Sequence, residues 1–353
     1  MQLSVLVVSR TAELLGTLLS SLDRACSLPG EAVEVLCSWN GSASEEQSIC
    51  NPSRYALRIV QRDPYHFASN VNALIEQASG SLLMLVNDDV CLDAGCVDAG
   101  LRLLTSSERI GLVGGLLRTD CGRLSHLGIA LDHEGNAYHV LDQKLTLQQS
   151  NLVPTQPVAA VTGAVQWLRR SDALRLNTRY RVCGEDVELC LDMQQQRGKQ
   201  VWLCSDAQAV HNGETTRRRS EGQGALADDQ ARLRQRWGAF IAGAPPAALA
   251  ALLQQQQWES HMLRVLAADA QRAQRAEREA LEQQHQASLR EVELAHQSQA
   301  SRDRRLQQEP AQGSEPGRRR SLAADRTGAT HGRHATDPCR QKTKPSGLHR
   351  ADP

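Results

Sequence analysis

Four short, mostly apolar runs, separated by helical segments or a loop, fill the chain between Leu3 and Val86 and constrain its fold more than any other feature. The runs are Leu3–Val8 (LSVLVV), Val33–Cys37, Leu57–Val60 and Leu82–Val86 (LLMLV). The β-branched and leucine-rich run Leu3–Val8 is the mark of a buried strand, and the other three read as strands beside it. Between the first two, Leu14, Leu15, Leu18, Leu19 and Leu22 recur at helical spacing within Glu13–Ala25. Ala68–Gln77 is a second helix, closed off by Gly80 before the fourth run. The second run ends in the turn Asn40-Gly41 and a Ser/Glu-rich loop. This β-α-β-loop-β-α-β order predicts a mostly parallel α/β sheet with helices on its faces.

The following segment is more mixed. Ile110–Leu116 reads as a strand, and Leu127–Leu131 pairs with Tyr138–Val140 around Gly135-Asn136. Residues 141–157 read as loop and Ala159–Leu168 as a strand. Asp186–Gln196 reads as a helix closed by Gly198, followed by a short strand Val201–Leu203 and by Ala209-Val210 before His211. A charged helix containing Arg232–Trp237 ends the compact domain near residue 240. Residues 241–306 are Gln/Ala/Arg-rich with high helix propensity. Their leucines are too irregular for a clear coiled coil, and residues 254–306 are the expected place for any self-association. Residues 307–353 read as a disordered basic tail, with nine Lys/Arg against four Asp/Glu over 311–353.

Lys plus Arg and Asp plus Glu number 40 each. No global field therefore draws the chain to nucleic acid or to an anionic membrane, and a small or neutral substrate is expected. Nine of the ten cysteines lie between Cys26 and Cys204, none in a C-x-x-C pair. They read as reduced thiols of a cytoplasmic protein. Leu3–Val8 lacks a basic leader and reads as a strand, not a secretion signal. The longest apolar stretch, Ile241–Leu253, has thirteen residues broken by Pro245-Pro246. It reads as a linker or short helix, too short to span a bilayer. Any membrane association is expected to be weak and peripheral, at the inner face.

Chemistry is expected at four places. Asn87-Asp88-Asp89 directly follows the strand Leu82–Val86, and ligands of parallel sheets bind at the carboxyl ends of strands. An amide and two carboxylates there suit a hard cation, Mn²⁺ or Mg²⁺, beside a diphosphate; an ordinary loop or cap is the plainer alternative. Gly184-Glu185-Asp186 opens a helix with Glu188 close behind. Adjacent acids raise the pKa of one of their number, which suits a general base, whereas a helix cap would account for one acid. His211 ends a strand and can complete a cation site with a carboxylate. Ser9-Arg10 and Trp39-Asn40-Gly41 end the first two strands, where a nucleotide base and ribose would lie. No G-x-G-x-x-G follows the first strand, and neither a P-loop nor a G-x-S-x-G elbow is present, so ordinary dinucleotide, P-loop and α/β-hydrolase chemistry is not expected.

Taken in order, these segments resemble family 2 of the inverting glycosyltransferases, which have the GT-A fold, and within it the bacterial rhamnosyltransferase-like branch. The resemblance covers residues 3 to about 218 and is carried by LSVLVVSR, FASNVNALIEQASGSLLMLVNDDV, VTGAVQWLRRSDAL and GEDVELCLDMQQQRGKQVWLCSDAQAVHNG. It implies that Asp89 and His211 hold a divalent cation, Mn²⁺ or Mg²⁺, on the donor diphosphate. Asn87, Asp88, Ser9, Arg10, Trp39 and Asn40 would line the donor site. Asp186 would deprotonate the acceptor hydroxyl, and Glu185 would position substrate. The partners implied are a nucleotide-diphosphate sugar and a carbohydrate, lipid-linked or protein acceptor, in surface polysaccharide or glycan assembly. The chain departs from the family in having Trp39 where an acid often meets the base, and in lacking Gly-Gly-Phe across Leu174–Cys183. Two rival readings are a nucleotidyltransferase, for which residues 9–16 lack the glycine-rich basic loop, and a non-catalytic relative acting through its C-terminal helix.

Overall fold

The computed structural model describes residues 1–211 and 223–308. Two compact units partition the chain, Met1–Met262 and Leu263–Pro353. The first begins with the expected alternation: β1 (Leu3–Ser9), α1 (Ala12–Ala25), β2 (Val33–Trp39), the short α2 (Ala43–Gln47), β3 (Ala56–Gln61), α3 (Phe67–Gln77) and β4 (Leu82–Asn87). Both faces of β1 and β2 are buried at every residue, so these strands are mostly apolar, and the buried Ser4 hydroxyl donates to Glu34 at 2.7 Å. The chain continues through β5 (Val90–Leu92), α4 (Cys96–Thr105), β6 (Ile110–Arg118), β7 (Leu124–His126), β8 (Ile129–Leu131), β9 (Ala137–His139), β10 (Gln156–Pro157), β11 (Val165–Arg169), α5 (Glu185–Gln196) and β12 (Gln200–His211).

One sheet runs in the order β10-β12-β6-β11-β4-β1-β2-β3, with β5 added to β12 and β7 to β6. Along its long strands, β1 is parallel to β2 and β4, β2 to β3, and β6 to β12. Only β11 is reversed between β4 and β6. The carboxyl ends of β1, β2, β4 and β12 therefore open on one side. The β8–β9 hairpin forms its own two-stranded sheet around Gly135, at φ 82°.

Three segments depart from the sequence reading. The apolar run Ala159–Leu168 is a strand only from Val165 onward, because side chains of other elements capture the backbone groups of residues 159–164. The two short pieces read around Val201 and Ala209 are one strand, β12, with an irregularity between Cys204 and Gln208. Both β5 and α4 escaped the reading.

The domain boundary also shifts. After α6 (Gln223–Ala242), the chain breaks at Gly243 and starts α7 (Pro246–Gln308) with proline at the first helical position, where its missing N–H costs nothing. The first turns of α7 belong to the first compact unit, which runs to Met262 rather than ending near residue 240, and Ile241–Leu253 takes the helical alternative, broken only at residues 243–245. Ala248 packs with Leu191 and Phe240. Gln255 is buried, accepting from the Ala159 N–H at 2.9 Å through Oε1 and donating to the Ile129 carbonyl at 3.3 Å through Nε2. An added Cβ at Gly128 (φ 98°) would lie 3.0 Å from that Nε2, so glycine is required there. In the second unit, α7 continues to Gln308 with Leu281, Leu289, Val292 and Leu294 exposed, at spacings that keep no heptad. The basic tail expected from 309 onward lies outside the described residues. Among the described residues, no single helix is long and apolar enough to cross a membrane.

Candidate active site

Asp88 and Asp89 occupy the tight turn between β4 and β5. Because β5 pairs antiparallel with the end of β12, His211 stands opposite Val90, the residue after Asp89. The pairing brings His211 Nε2 to 3.2 Å from Asp89 Oδ1. Both side chains are largely shielded, at 17% and 5% exposure. Two neighbouring ligands of an octahedral cation with bonds near 2.1 Å are separated by about 3.0 Å, so this pair fits as adjacent ligands of a single ion. Among the described residues, no group of three or more His, Cys, Asp or Glu converges on a metal position. A site with one carboxylate and one imidazole would leave its remaining positions to water and phosphate oxygens, the usual arrangement for Mg²⁺-type ions beside a diphosphate.

Asp88 turns the other way. Its Oδ2 accepts from the Ser9 hydroxyl at 2.8 Å, joining the ends of β4 and β1. Burial pushes its carboxyl up to about 6; the Ser9 hydrogen bond opposes that rise, the Asp89 charge adds to it, and Arg10 opposes it. The Arg10 guanidinium lies 5.7 Å from the centroid of the Tyr65 ring. Tyr65, in the loop between β3 and α3, is 43% exposed. Its phenol is pushed up to about 12 by desolvation first and then by the charge of Glu185, with Asp88 and Asp89 adding to the effect and Arg10 reducing it. Tyr65 thus lies within electrostatic reach of acids in both predicted patches, and sequence reasoning missed it. The available signal was its place in the loop after a parallel strand.

The second patch starts α5. Gly184, at φ 107° over the Tyr180 ring, is the N-cap, so Asp186 is not. Asp186 Oδ2 accepts from the Gly163 N–H at 2.8 Å, and its Oδ1 from the Val187 N–H at 2.8 Å. These two bonds fix the carboxylate's direction while each oxygen keeps further acceptor capacity. Glu188 is already engaged, accepting from Tyr180 at 2.6 Å and Asn177 at 3.0 Å. Gly163 belongs to the 159–164 loop, which also receives the other patch: the Asn87 N–H donates to the Ala164 carbonyl at 3.0 Å. One short loop therefore joins the acidic turn to the start of α5.

Side chains hold that loop almost residue by residue. Gln194 donates to the Ala159 carbonyl at 2.9 Å, the Val161 N–H donates to Cys190 Sγ at 3.5 Å, and Gln166 donates to the Val161 carbonyl at 3.1 Å. The Thr162 N–H donates to His126 Nε2 at 3.3 Å. His126 is fully buried, with its Nδ1 3.0 Å from His139 Nδ1. Since Nε2 accepts, the proton of neutral His126 sits on Nδ1 and is shared toward His139.

The place expected for the Trp39 ring beside a nucleotide base needs correction. Trp39 is 1% exposed, packs in the main core and donates its indole N–H to the Ser42 carbonyl at 3.2 Å. No face of the indole is free to stack on a base, because β2 extends through residue 39 and places Trp39 on the same side as Val33, Val35 and Cys37. Asn40 donates from Nδ2 to the Asp63 carbonyl and from its backbone to the Ser9 carbonyl at 2.7 Å. It ties the end of β1 to the loop after β3. At Gly41, an added Cβ would lie 2.5 Å from both the Arg10 carbonyl and the Trp39 ring.

A mannosyltransferase, PcManGT from Pyrobaculum calidifontis, solved in complex with GDP-Man and Mn²⁺, superposes with a TM-score of 0.51 at 15% identity, over 76% of this chain and 73% of that one. The fold is GT-A. By sequence, the O-antigen biosynthesis protein RfbC of Myxococcus xanthus is 28% identical over 219 residues, which is 58% of this chain and 17% of RfbC. An uncharacterized protein, y4gI of Sinorhizobium fredii, is 29% identical over 146 residues, 39% of this chain and 16% of that protein. The chain thus spans about a sixth of the length of the curated relatives it matches. No protein-family model matches the chain.

Proposed function

We propose that this GT-A chain is a divalent-cation-dependent glycosyltransferase that moves a sugar from a nucleotide-diphosphate donor to an acceptor hydroxyl with inversion. The observation that carries the reading is the division of labour among the acidic residues and His211. Asp89 and His211 stand 3.2 Å apart as a ligand pair, while Asp186 is aimed separately by the Gly163 amide. Mn²⁺ or Mg²⁺ bound there would neutralise the charge of a departing diphosphate. Asp186 takes the proton of the acceptor hydroxyl as that oxygen attacks the anomeric carbon from the face opposite the leaving group. Arg10 and Tyr65 border the donor side, and Glu185 orients substrate at the start of α5. The likeness to an O-antigen biosynthesis protein supports a role in surface polysaccharide assembly, in keeping with the rhamnosyltransferase-like branch.

The test is a panel of uridine-, thymidine- and guanosine-diphosphate sugars, assayed with and without Mn²⁺ and with mass-spectrometric detection of the transferred sugar. Cation-dependent release of nucleoside diphosphate from one donor class, with inverted configuration in the product, is expected. Pyrophosphate release from a sugar phosphate and a nucleoside triphosphate would instead mark a nucleotidyltransferase. Absence of any cation-dependent turnover across the panel would leave the non-catalytic reading.

A further inference from the structure

The helix α6 presents Asp229, Leu233, Arg236 and Phe240 at i, i+4, i+7 and i+11, a single stripe along one face. Leu233 and Phe240 are buried, as such a stripe requires, and Phe240 packs on Leu191 of α5. Arg236 donates to Asp192 of α5 at 2.7 Å and to Gln195 at 2.9 Å. The first place of the stripe holds a carboxylate, and Asp229 is only 1% exposed. A buried charge persists only where it is well paired or hydrogen-bonded. Asp229 Oδ2 accepts from three consecutive backbone amides, those of Arg181, Val182 and Cys183, at 2.9, 2.7 and 3.2 Å. These residues immediately precede Gly184 and the helix start that carries Glu185 and Asp186.

We infer that Asp229 is a positioning residue for Asp186. It gathers the three amides onto one oxygen and so fixes how the chain enters α5, while Arg236 holds the same helix two turns further along. Both ends of the lever lie on α6, so the aim of Asp186 depends on a helix beyond the strands and turns that carry the other site residues. The donor side hangs on β1, β4 and β12 and does not depend on this clamp. The inference rests on the reading of Asp186 as the base, yet the clamp itself is observable without activity.

The experiment compares the full chain with Asp229→Ala and Asp229→Asn by amide hydrogen exchange, by equilibrium binding of UDP, TDP or GDP with Mn²⁺, and by acceptor-dependent turnover. In Asp229→Ala, exchange is expected to rise across residues 181–188 while β1 and β4 stay protected. Nucleotide binding should hold while kcat falls by about 10–100-fold, the scale set by a misplacement of about 1 Å. Asp229→Asn keeps an acceptor oxygen and should restore most of the loss. Faster exchange confined to residues 181–183, unchanged kcat, or an equal loss of nucleotide affinity would each overturn the inference. If the unaltered chain transfers no sugar, the proposed function fails. The exchange pattern at residues 185–188 then decides the positioning claim alone.

Discussion

Asp89 and His211 lie 122 positions apart in the chain and meet at 3.2 Å because the three residues of β5 pair with the last three of β12. If they share one cation, each must contribute to its affinity. Losing even an outer partner of a metal ligand costs about 10–100-fold in affinity. Asp89→Ala is expected to exceed the upper figure, and His211→Ala to fall within the range. Mn²⁺ titration by electron paramagnetic resonance, with nucleotide present, measures both. Affinity equal to that of the unaltered chain in the two variants would remove the shared site.

Asp186→Asn tests the base. Both carboxylate oxygens face backbone N–H donors, so an amide turns its NH₂ toward one of them, and a modest loss of stability is expected. Turnover should fall by about 10²–10⁴, the worth of a positioned base, with nucleotide affinity kept. Glu185→Gln should cost less. Near-normal turnover in Asp186→Asn would end the assignment, and a matching loss of donor affinity would move Asp186 to the donor side.

Trp39 and Tyr65 should separate cleanly. Trp39→Asp removes a core indole and buries a charge, so a stability loss beyond the about 3–5 kcal/mol typical of truncating a core aromatic is expected. Tyr65→Ala removes an exposed ring and should leave the melting temperature nearly unchanged while altering the ranking among uridine, thymidine and guanosine donors. A donor ranking identical to that of the unaltered chain would take Tyr65 out of the nucleotide site.

His126 predicts an acid-sensitive stability. Burial first, then His139 and His211, hold its imidazole well below its ordinary range. Below pH of about 6.5, where a free imidazole titrates, the unfolded chain takes up a proton that the folded chain refuses. The contribution is therefore complete above that pH and is lost as pH falls. Urea unfolding midpoints measured from pH 7.5 down to about 5.5 should decline, and more shallowly in His126→Gln. Parallel slopes for the two proteins would contradict the buried neutral imidazole.

Truncation locates the end of the first unit. A chain cut after Ala242 loses Ala248, Ala251 and Gln255 from the core and should melt lower or aggregate. One cut between Met262 and residue 275 should melt like the full chain. Limited proteolysis is expected to leave a fragment ending just beyond Met262, and equal stability of the two truncated chains would restore a boundary near residue 240.

The strands β1, β2 and β4 were legible because burial on both faces leaves short, mostly apolar runs between turn signals, and the half-buried edge strand β3 was legible through Leu57, Ile59 and Val60. The order of Asp89, Asp186 and His211 was legible too, but their approach to one another was not. It depends on β5, whose three residues carry no period, and on a loop whose partners lie as far away as Gln255. Trp39 was placed by the base through the resemblance, after Asn40-Gly41 had drawn the end of β2 two residues short. Counting on by twos from Val33 reaches Trp39 and puts it in the core. Tyr65 sits in irregular chain, where only its place after a parallel strand, and no periodicity, could have marked it. Asp229 occupied an apolar place in a helical stripe, a local conflict that composition alone conceals.

The loop from Ala159 to Ala164 carries a consequence for how this sequence can vary. Gln255, Gln194, Cys190, Gln166, His126 and Asp186 each bond a backbone group within it. Backbone cannot be mutated away, so a change in any one of the six leaves a group that the other five cannot reach. Substitutions at these positions should be strongly non-additive with one another while each is nearly independent of the surface. Such a loop ties the histories of β7, β11, α5 and α7 together, and an exchange of one element from a related sequence would need its partners brought with it.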